Sequence, residues 1–334
     1  MRPVLAIESS CDETAAAVVC GREIVSSVVF SQVSTHALYG GVVPEIASRA
    51  HVEALPEVVG QALARASLRP SDLLGVGVTN GPGLVGALLC GVSYAKGFAY
   101  ANRLPIAGVQ HIEGHICANF LSHKELEPPF IALVVSGGHS HIIELEDYGA
   151  HRVLGKTRDD AAGEAFDKAA RVLGLPYPGG PSIDDLAECG DAYALPLPRP
   201  RVEGLNYSFS GLKTALLQAV ARAEKQGITL KKEDIAASFR RAVVEQLLQK
   251  AEEALLETGH RKLVLAGGVA CNLLLRREAQ GLCERLGAQL YMPPPALCAD
   301  NAAMIAFAAS YRLERGERSG LDLNAIPSRA LPEA

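Results

Sequence analysis

Phe130-Ile131-Ala132-Leu133-Val134-Val135-Ser136-Gly137-Gly138-His139-Ser140-His141-Ile142-Ile143-Glu144-Leu145 is the stretch whose reading decides the fold class. Phe130–Val135 is a near-continuous apolar run, the pattern of a strand buried on both faces. It ends in Ser-Gly-Gly-His, and the chain resumes as an apolar strand over Ile142–Leu145. A Gly-Gly turn lets main-chain N–H groups approach an anion without side-chain obstruction, although the same residues also suit a tight hairpin. The opening of the chain repeats the unit. Val4–Ile7 runs into the polar turn Glu8-Ser9-Ser10-Cys11-Asp12-Glu13-Thr14, then into strands over Ala15–Val19 and Glu23–Ser31. Alone, this opening reads as an ordinary hairpin. Two copies of strand, small polar turn, strand, about 130 residues apart, point to an internal duplication with two similar lobes and facing turns.

Between the two copies lies Gln110-His111-Ile112-Glu113-Gly114-His115-Ile116, directly after the strand-like run Pro105–Val109. Imidazoles four residues apart share one face of a helix, so both reach one cation. The pair alone specifies neither the metal nor the reaction. In H-E-x-x-H peptidases the glutamate follows the first histidine directly and acts on metal-bound water. Here Glu113 sits two residues from each histidine, about 200° around a helix from both, on the opposite side.

The remaining signals are looser. Strand Lys262–Ala266, then Gly267-Gly268-Val269-Ala270-Cys271-Asn272, then helix Leu273–Leu286 is a strand–glycine–helix cradle of the kind nucleotides use. Residues 158–173 read as an acid-led helix capped by Asp159 or Asp160, with Asp167 one turn further in. Pro176–Pro181 reads as a rigid loop, after which Asp184 and Asp185 open another helix. A carboxylate beside a Gly-Gly loop suits a ribose diol, but such acids more often cap helices or face solvent. Asp300 precedes an apolar helix and is explained adequately as its N-cap. Further helices are predicted over 44–65, 84–101, 211–226 and 233–258, with strands over Leu74–Thr79 and Leu290–Tyr291. His36 and His51 read as packing or surface residues. The tail past Glu314 is polar and reads as partly loose.

Length and composition set the bounds. With 334 residues the chain is long enough for about two domains. Tryptophan is absent and 49% of residues are apolar, so packing rests on Ala, Val and Leu, as in helix-covered parallel sheets. A net charge of −5 excludes a whole-chain basic footprint for nucleic acid. The most basic region is 196–241, with Arg199, Arg201, Lys213, Arg222, Lys225, Lys231, Lys232, Arg240 and Arg241; it can steer an anionic polymer locally. Eight cysteines without a C-x-x-C pair read as buried thiols of an intracellular protein. The N-terminus lacks the pattern of a secretory signal, and Gly83–Tyr100 is broken by glycines and Lys96, which argues against a membrane span.

The motifs in order are Glu8–Thr14, His111-Ile112-Glu113-Gly114-His115, Val135-Ser136-Gly137-Gly138-His139, Gly163-Glu164-Ala165-Phe166-Asp167-Lys168, Tyr177-Pro178-Gly179-Gly180-Pro181, Ser208-Phe209-Ser210-Gly211-Leu212-Lys213-Thr214, Gly267–Asn272 and Asp300-Asn301. This ordered set resembles the bacterial TsaD family, once called Gcp or O-sialoglycoprotein endopeptidase, over residues 4 to 312. Cys271 departs from the alanine or serine expected there.

The resemblance implies an α/β, two-lobed actin/Hsp70-like (ASKHA) fold with a nucleotide cleft between the lobes. Residues 1–110, joined by the C-terminal helix 300–320, would form one lobe, and 111–299, with helical insertions, the other. It implies a cytoplasmic acyltransferase that moves the threonylcarbamoyl group of threonylcarbamoyl-AMP to N6 of adenosine 37 in tRNAs reading codons that begin with A. His111, His115 and Asp300 would hold one Fe2+, or Zn2+, per subunit. Val134, Val135, Ser136, Gly137, Gly138, Asp167, Gly180, Asp184 and Asn272 would hold the adenylate. The implied partners are the tRNA anticodon loop, TsaB and the ATPase TsaE, with TsaC making the adenylate; no membrane is implied. The rivals are a small-molecule kinase of the same superfamily, a catalytically silent assembly partner and a metalloendopeptidase.

Overall fold

A computed structural model describes residues 2–198 and 202–331, apart from the side chain at 224. In chain order, β1 (Val4–Glu8), β2 (Glu13–Cys20) and β3 (Glu23–Ser31) lead into α1 (Val33–Ala37), α2 (Pro44–Ala66), β4 (Gly75–Gly81), α3 (Val85–Asn102), β5 (Ile106–Gln110) and α4 (His111–Ser122). Then come β6 (Phe130–Val135), β7 (Ser140–Asp147), β8 (Ala150–Lys156), α5 (Ala162–Leu173), α6 (Gly179–Ala187), α7 (Ser210–Lys225) and α8 (Lys232–Thr258). The chain closes with β9 (Lys262–Ala266), α9 (Leu273–Leu286), β10 (Gln289–Tyr291), α10 (Pro295–Cys298) and α11 (Ala302–Glu314).

These elements form two compact units. One is the chain up to Leu126 together with Pro293–Leu331; the other is Glu127–Met292. Residues 111–126 and 293–299 fall in the first unit, whereas the resemblance implies the C-terminal lobe for both, because α4 packs on α11. Each unit holds a five-stranded sheet, ordered β3-β2-β1-β4-β5 and β8-β7-β6-β9-β10. β1 runs antiparallel to β2 and parallel to β4; β6 runs antiparallel to β7 and parallel to β9. The two sheets match strand for strand, as the repeated strand–turn–strand unit predicts.

Period-two alternation explains why the central strands are apolar throughout. In the first unit Leu5 and Ile7 join a core with Leu55 and Val59 of α2 and Val92 of α3. Ala6 faces the other way, toward α11, beside Gly77. A Cβ on Gly77 would stand 2.5 Å from the Ala309 Cβ, so only glycine lets α11 lie this close to the sheet. Among the described residues no helix is long and apolar enough to cross a membrane.

Several sequence expectations need correction. β8 was not anticipated. α5 has Ala161 as its N-cap with no side-chain cap, so neither Asp159 nor Asp160 plays that part. Asp159 instead accepts from Ser208 Oγ (2.6 Å), Phe209 N (2.8 Å), Ser210 N (3.2 Å) and Ser210 Oγ (2.7 Å), fastening the start of α7. Asp160 pairs with Lys168 at 2.6 Å. α6 begins at Gly179, within the loop expected to be rigid, which puts Asp184 inside the helix. The described part of the tail, 315–331, is not loose. Ser319 N donates to Ile106 O (2.8 Å), Ile326 N to Asn80 O (2.7 Å) and Lys96 Nζ to Leu323 O (3.0 Å), so main-chain groups anchor it. None of the eight cysteines, all among the described residues, is in a disulfide; only Cys117, Cys283 and Cys298 are buried, and Cys189 is exposed.

His36 and His51 are packing residues, each wholly buried. His51 Nε2 donates to Cys11 O (2.9 Å), so its Nδ1 accepts from Thr14 Oγ1 (2.7 Å) and the ring is neutral. It pins both ends of the Cys11–Thr14 turn.

His141 on β7 carries a pH-dependent share of stability. Burial, then Lys156 opposite it on β8, push the ring down from 6.5 to about 4. Between those values the unfolded chain binds a proton that the folded chain refuses, so stability is fully present above pH 6.5 and is lost as pH falls toward 4. Urea unfolding of the parent should therefore weaken between pH 7 and 4.5 by on the order of 2 kcal/mol more than that of His141→Gln. Parallel losses in the two proteins would refute this.

Candidate functional site

The first unit gathers the histidine pair and Asp300. β5 ends at Gln110, whose side chain accepts from Glu113 N (2.9 Å) and so caps α4. His111 and His115 then occupy successive turns of one face, with ring centroids 4.6 Å apart and edges meeting faces. Asp300 Oδ1 lies 3.4 Å from His111 Nε2 and 3.2 Å from His115 Nε2. One ligand atom from each of the three falls within 4.8 Å of the others. The expectation that Asp300 caps the last helix fails, because Asn301 does so, accepting from Met304 N at 3.0 Å. Asp300 is thereby left to face the imidazoles.

The residues fit a divalent cation. Donors bound at about 2.1 Å stand about 3.0–3.4 Å apart around an octahedral or tetrahedral ion, the separations Asp300 makes with both rings. His115 is 1% exposed, yet its Nδ1 has no hydrogen-bond partner among the described residues. His111 Nδ1 lies 3.0 Å from Glu8 Oε2, and a carboxylate behind a ring nitrogen fixes the tautomer whose unprotonated Nε2 can take a metal. Glu8 is itself held, accepting from Ser10 N (2.5 Å) and Thr79 Oγ1 (2.6 Å). In the sequence Glu8 shows only as a carboxylate ending an apolar strand, a signal too weak to assign it this role.

The charges are tightly linked. Burial would push Glu8 and Asp300 up, but the His111 ring more than offsets this: Glu8 lies below the ordinary range and Asp300 well below it. Burial would lower His111, yet Asp300 and Glu8 together hold it well above its ordinary value. Burial holds His115 down, and Asp300 offsets that only in part. Burial, then the charges of Asp300 and Asp12, push Glu13 up to about 9. Glu113, as the spacing predicts, points away: its Oε2 lies 2.6 Å from Arg312 Nη2. It cannot act on a metal-bound water, which removes the basis for the peptidase reading.

The second unit forms the glycine cradle. Ser136 N donates to His139 O (2.8 Å), closing the turn between β6 and β7. No heavy atom would crowd a Cβ on Gly137, Gly138, Gly180 or Gly268, so open space lies over each. Two other glycines let neighbours close in on the turn. A Cβ on Gly163 of α5 would meet Ser136 O at 2.6 Å, and one on Gly267 (φ +87°) would meet Val135 O at 2.4 Å. Val134 and Val135 are wholly buried within β6, so they offer a ligand main chain only.

The predicted acids are already engaged. Asp167 Oδ1 accepts from Gly179 N (2.7 Å), fastening the start of α6, and burial raises its carboxyl. Asp184 Oδ1 accepts from Arg240 Nη1 (2.7 Å) and Asn272 Nδ2 (2.9 Å), and Oδ2 from Leu273 N (2.8 Å). Asn272 Oδ1 caps α9 through Leu275 N (2.9 Å).

The basic region thins out on folding. Arg199 and Arg201 lie outside the described residues. Arg240 is buried against Asp184 and Glu188, Arg241 pairs with Glu245, and Lys232 Nζ donates to Leu173 O. Lys213, Arg222, Lys225 and Lys231 form no ion pair among the described residues.

Residues 23–307 match the family TsaD, described as tRNA N6-adenosine threonylcarbamoyltransferase. A protein of that name from Clostridium botulinum (strain Hall) is 51% identical over 333 residues, 99% of this chain and 98% of its own. Another from Geobacter sp. (strain M21) is 55% identical over 330 residues, 97% of this chain and 95% of its own. Two solved structures share the fold at low identity. T. kodakarensis HypF has TM-score 0.66 and 16% identity, over 94% of this chain and 48% of that one. Component A of the Acidaminococcus fermentans (R)-2-hydroxyglutaryl-CoA dehydratase has TM-score 0.56 and 17% identity, over 94% of this chain and 100% of that one. The shared architecture is the ASKHA type, with its paired five-stranded sheets.

Proposed function

The chain belongs to the TsaD family of tRNA N6-adenosine threonylcarbamoyltransferases, and from that footing we propose that it makes threonylcarbamoyladenosine at position 37 of tRNAs reading codons that begin with A. The N6 amine attacks the carbamoyl carbon of threonylcarbamoyl-AMP. The N6–C bond forms, the bond from that carbon to the phosphate oxygen breaks, AMP leaves with the electron pair, and N6 loses a proton. The observation that carries the reading beyond family membership is the His111, His115, Asp300 triad with Glu8 behind it.

Adenine N6 is a weak nucleophile because its lone pair is delocalised into the ring. The donor is already activated, so the protein's task is positioning and charge stabilisation. His111, His115 and Asp300 would hold one Fe2+, with Zn2+ the alternative for an N/O donor set. When bound, that ion supplies Lewis acidity toward the donor's carbonyl and carboxylate oxygens. Glu8 keeps the His111 ring in the tautomer with Nε2 unprotonated. The open main chain at Ser136, Gly137 and Gly138, with Gly180, receives the adenylate phosphate and ribose. Asp167 shapes that cradle by fastening α6; Asp184 and Asn272 shape it by fastening α9.

An anticodon-loop base is readily splayed from its stack, so the target amine is accessible. Lys213, Arg222, Lys225 and Lys231 contribute the phosphate contacts. TsaB and TsaE complete the working assembly, TsaC supplies the adenylate, and the reaction is cytoplasmic. The test is nucleoside mass spectrometry of unmodified tRNA incubated with the chain, its partners and threonylcarbamoyl-AMP. Conversion of adenosine 37 is expected. Phosphoryl transfer from ATP to a small acceptor with the tRNA left unchanged would favour the kinase reading instead.

A further inference from the structure

We propose that Glu113, the acid between the two histidines, is a positioning residue: its pair with Arg312 locks α4 onto α11 and thereby presets the spacing of His111, His115 and Asp300. The inference rests on the metal reading above, but it concerns residues on the far side of α4 from the triad.

α11 meets the first turns of α4 at three places. Before its N-terminus, Asp300 meets His111 and His115. In its first turn, Ile305 and Met304 press on Gly114, where a Cβ would stand 2.6 Å from Ile305 Cδ1 and 3.3 Å from Met304 Cγ. In its last turn, Arg312 Nη2 meets Glu113 Oε2 at 2.6 Å. Residues 302 and 312 stand about 15 Å apart at 1.5 Å per residue, so the start of α4 is gripped from two sides by one rigid rod. Arg312 Nη1 also donates to Gly108 O (3.1 Å) on β5, the strand that leads directly into α4. One guanidinium therefore ties together the strand before the metal-binding helix, that helix and the helix behind Asp300.

The C-terminal segment closes the same cluster. Gln110, the cap of α4, donates from Nε2 to Arg329 O (3.2 Å), and Gly108 N donates to Ser319 Oγ (3.0 Å). Glu113 is 6% exposed. A largely buried, forked ion pair has one favourable alignment, so it fixes the rotation of α4 where an apolar contact would tolerate slippage; setting register is the best-attested use of such pairs. A one-residue rotation of α4 would swing both imidazoles about 100° away from Asp300.

The test is Zn2+ affinity of the purified full chain, measured by competition with a chromophoric chelator, with Co2+ absorption as a readout of ligand geometry. Glu113→Gln and Arg312→Met should each weaken Zn2+ binding by about 10–100-fold, the range of outer-shell partners, and alter the Co2+ spectrum. The double variant should be no weaker than the worse single, since both remove one device. Arg312→Lys keeps the charge but loses the two-point fork, so it folds and shows an intermediate loss; it decides the matter if either stronger variant fails to fold. Affinity within twofold of the parent in folded variants, or losses that multiply in the double variant, would overturn the inference. His111→Ala separates the two levels. Parental Zn2+ affinity in that variant would sink the metal reading itself, whereas its loss alongside unchanged Glu113→Gln would sink only the positioning role.

Discussion

Asp300→Ala loses its metal and transfers threonylcarbamoyl more than about 100-fold more slowly than the parent, beyond what outer-shell partners alone cost, while its metal-free form melts no lower. The first half follows from the donor set. Asp300 is the triad's only anionic ligand, and it is the group that both imidazoles face. Without it two neutral rings remain, with Glu8 and Ser10 Oγ still beside His111 Nδ1. The second half follows from the capping pattern. Asn301 holds the N-terminus of α11, so removing its neighbour leaves that helix intact. Asp300 also sits among other acids, its charge helping to push Glu13 up to about 9. Deleting it relieves that repulsion when no cation is present, and this offsets the loss of its pairing with the His111 ring. Metal content by mass spectrometry, tRNA modification rate and metal-free melting temperature check the three statements. Full metal occupancy with a parental rate would remove the triad from the mechanism.

What the chain discloses before folding divides along physical lines. Local periodicity and turn chemistry were legible: the apolar run Phe130–Val135 is β6, and Leu273–Leu286 is α9 to the residue. The His-x-x-x-His face was legible for the same reason, since it follows from the helical repeat alone. β8 escaped because Ala150–Lys156 neither alternates cleanly nor runs apolar: its interior side is supplied by His151 and Gly155, while Arg152 and Lys156 face solvent. The tail escaped because most of its anchors are main-chain groups, which hydropathy does not register. The acids were the hardest to place. Asp159 finds its partners about 50 residues on, at the start of α7, and Glu8 finds His111 on another strand–helix junction. A carboxylate's local context says where it could cap; only the fold says which N–H groups and cations reach it.

Asp184 brings that distinction to measurement, because Asp184→Ala should destabilise the second unit by about 3 kcal/mol. The carboxylate uses both oxygens inside the protein, toward Arg240, Asn272 and the first N–H of α9. Arg240 is 5% exposed, so truncating Asp184 leaves a desolvated guanidinium with Glu188 as its remaining acid. Glu188 keeps the loss near the lower end of the range for breaking a buried pair, and the orphaned Leu273 N–H adds to it. Asp184→Asn recovers part of this, since its carbonyl still accepts from Leu273 N, but its amide hydrogens cannot serve Arg240. Denaturant unfolding therefore ranks the proteins parent, Asn, Ala. The KM for threonylcarbamoyl-AMP should rise in the same order, because α9 and the Gly267–Asn272 turn shift with Asn272. If unfolding free energies stay within about 0.5 kcal/mol of the parent while KM alone rises, Asp184 meets the ligand directly, and its bonds to Arg240 and α9 are incidental to the cradle.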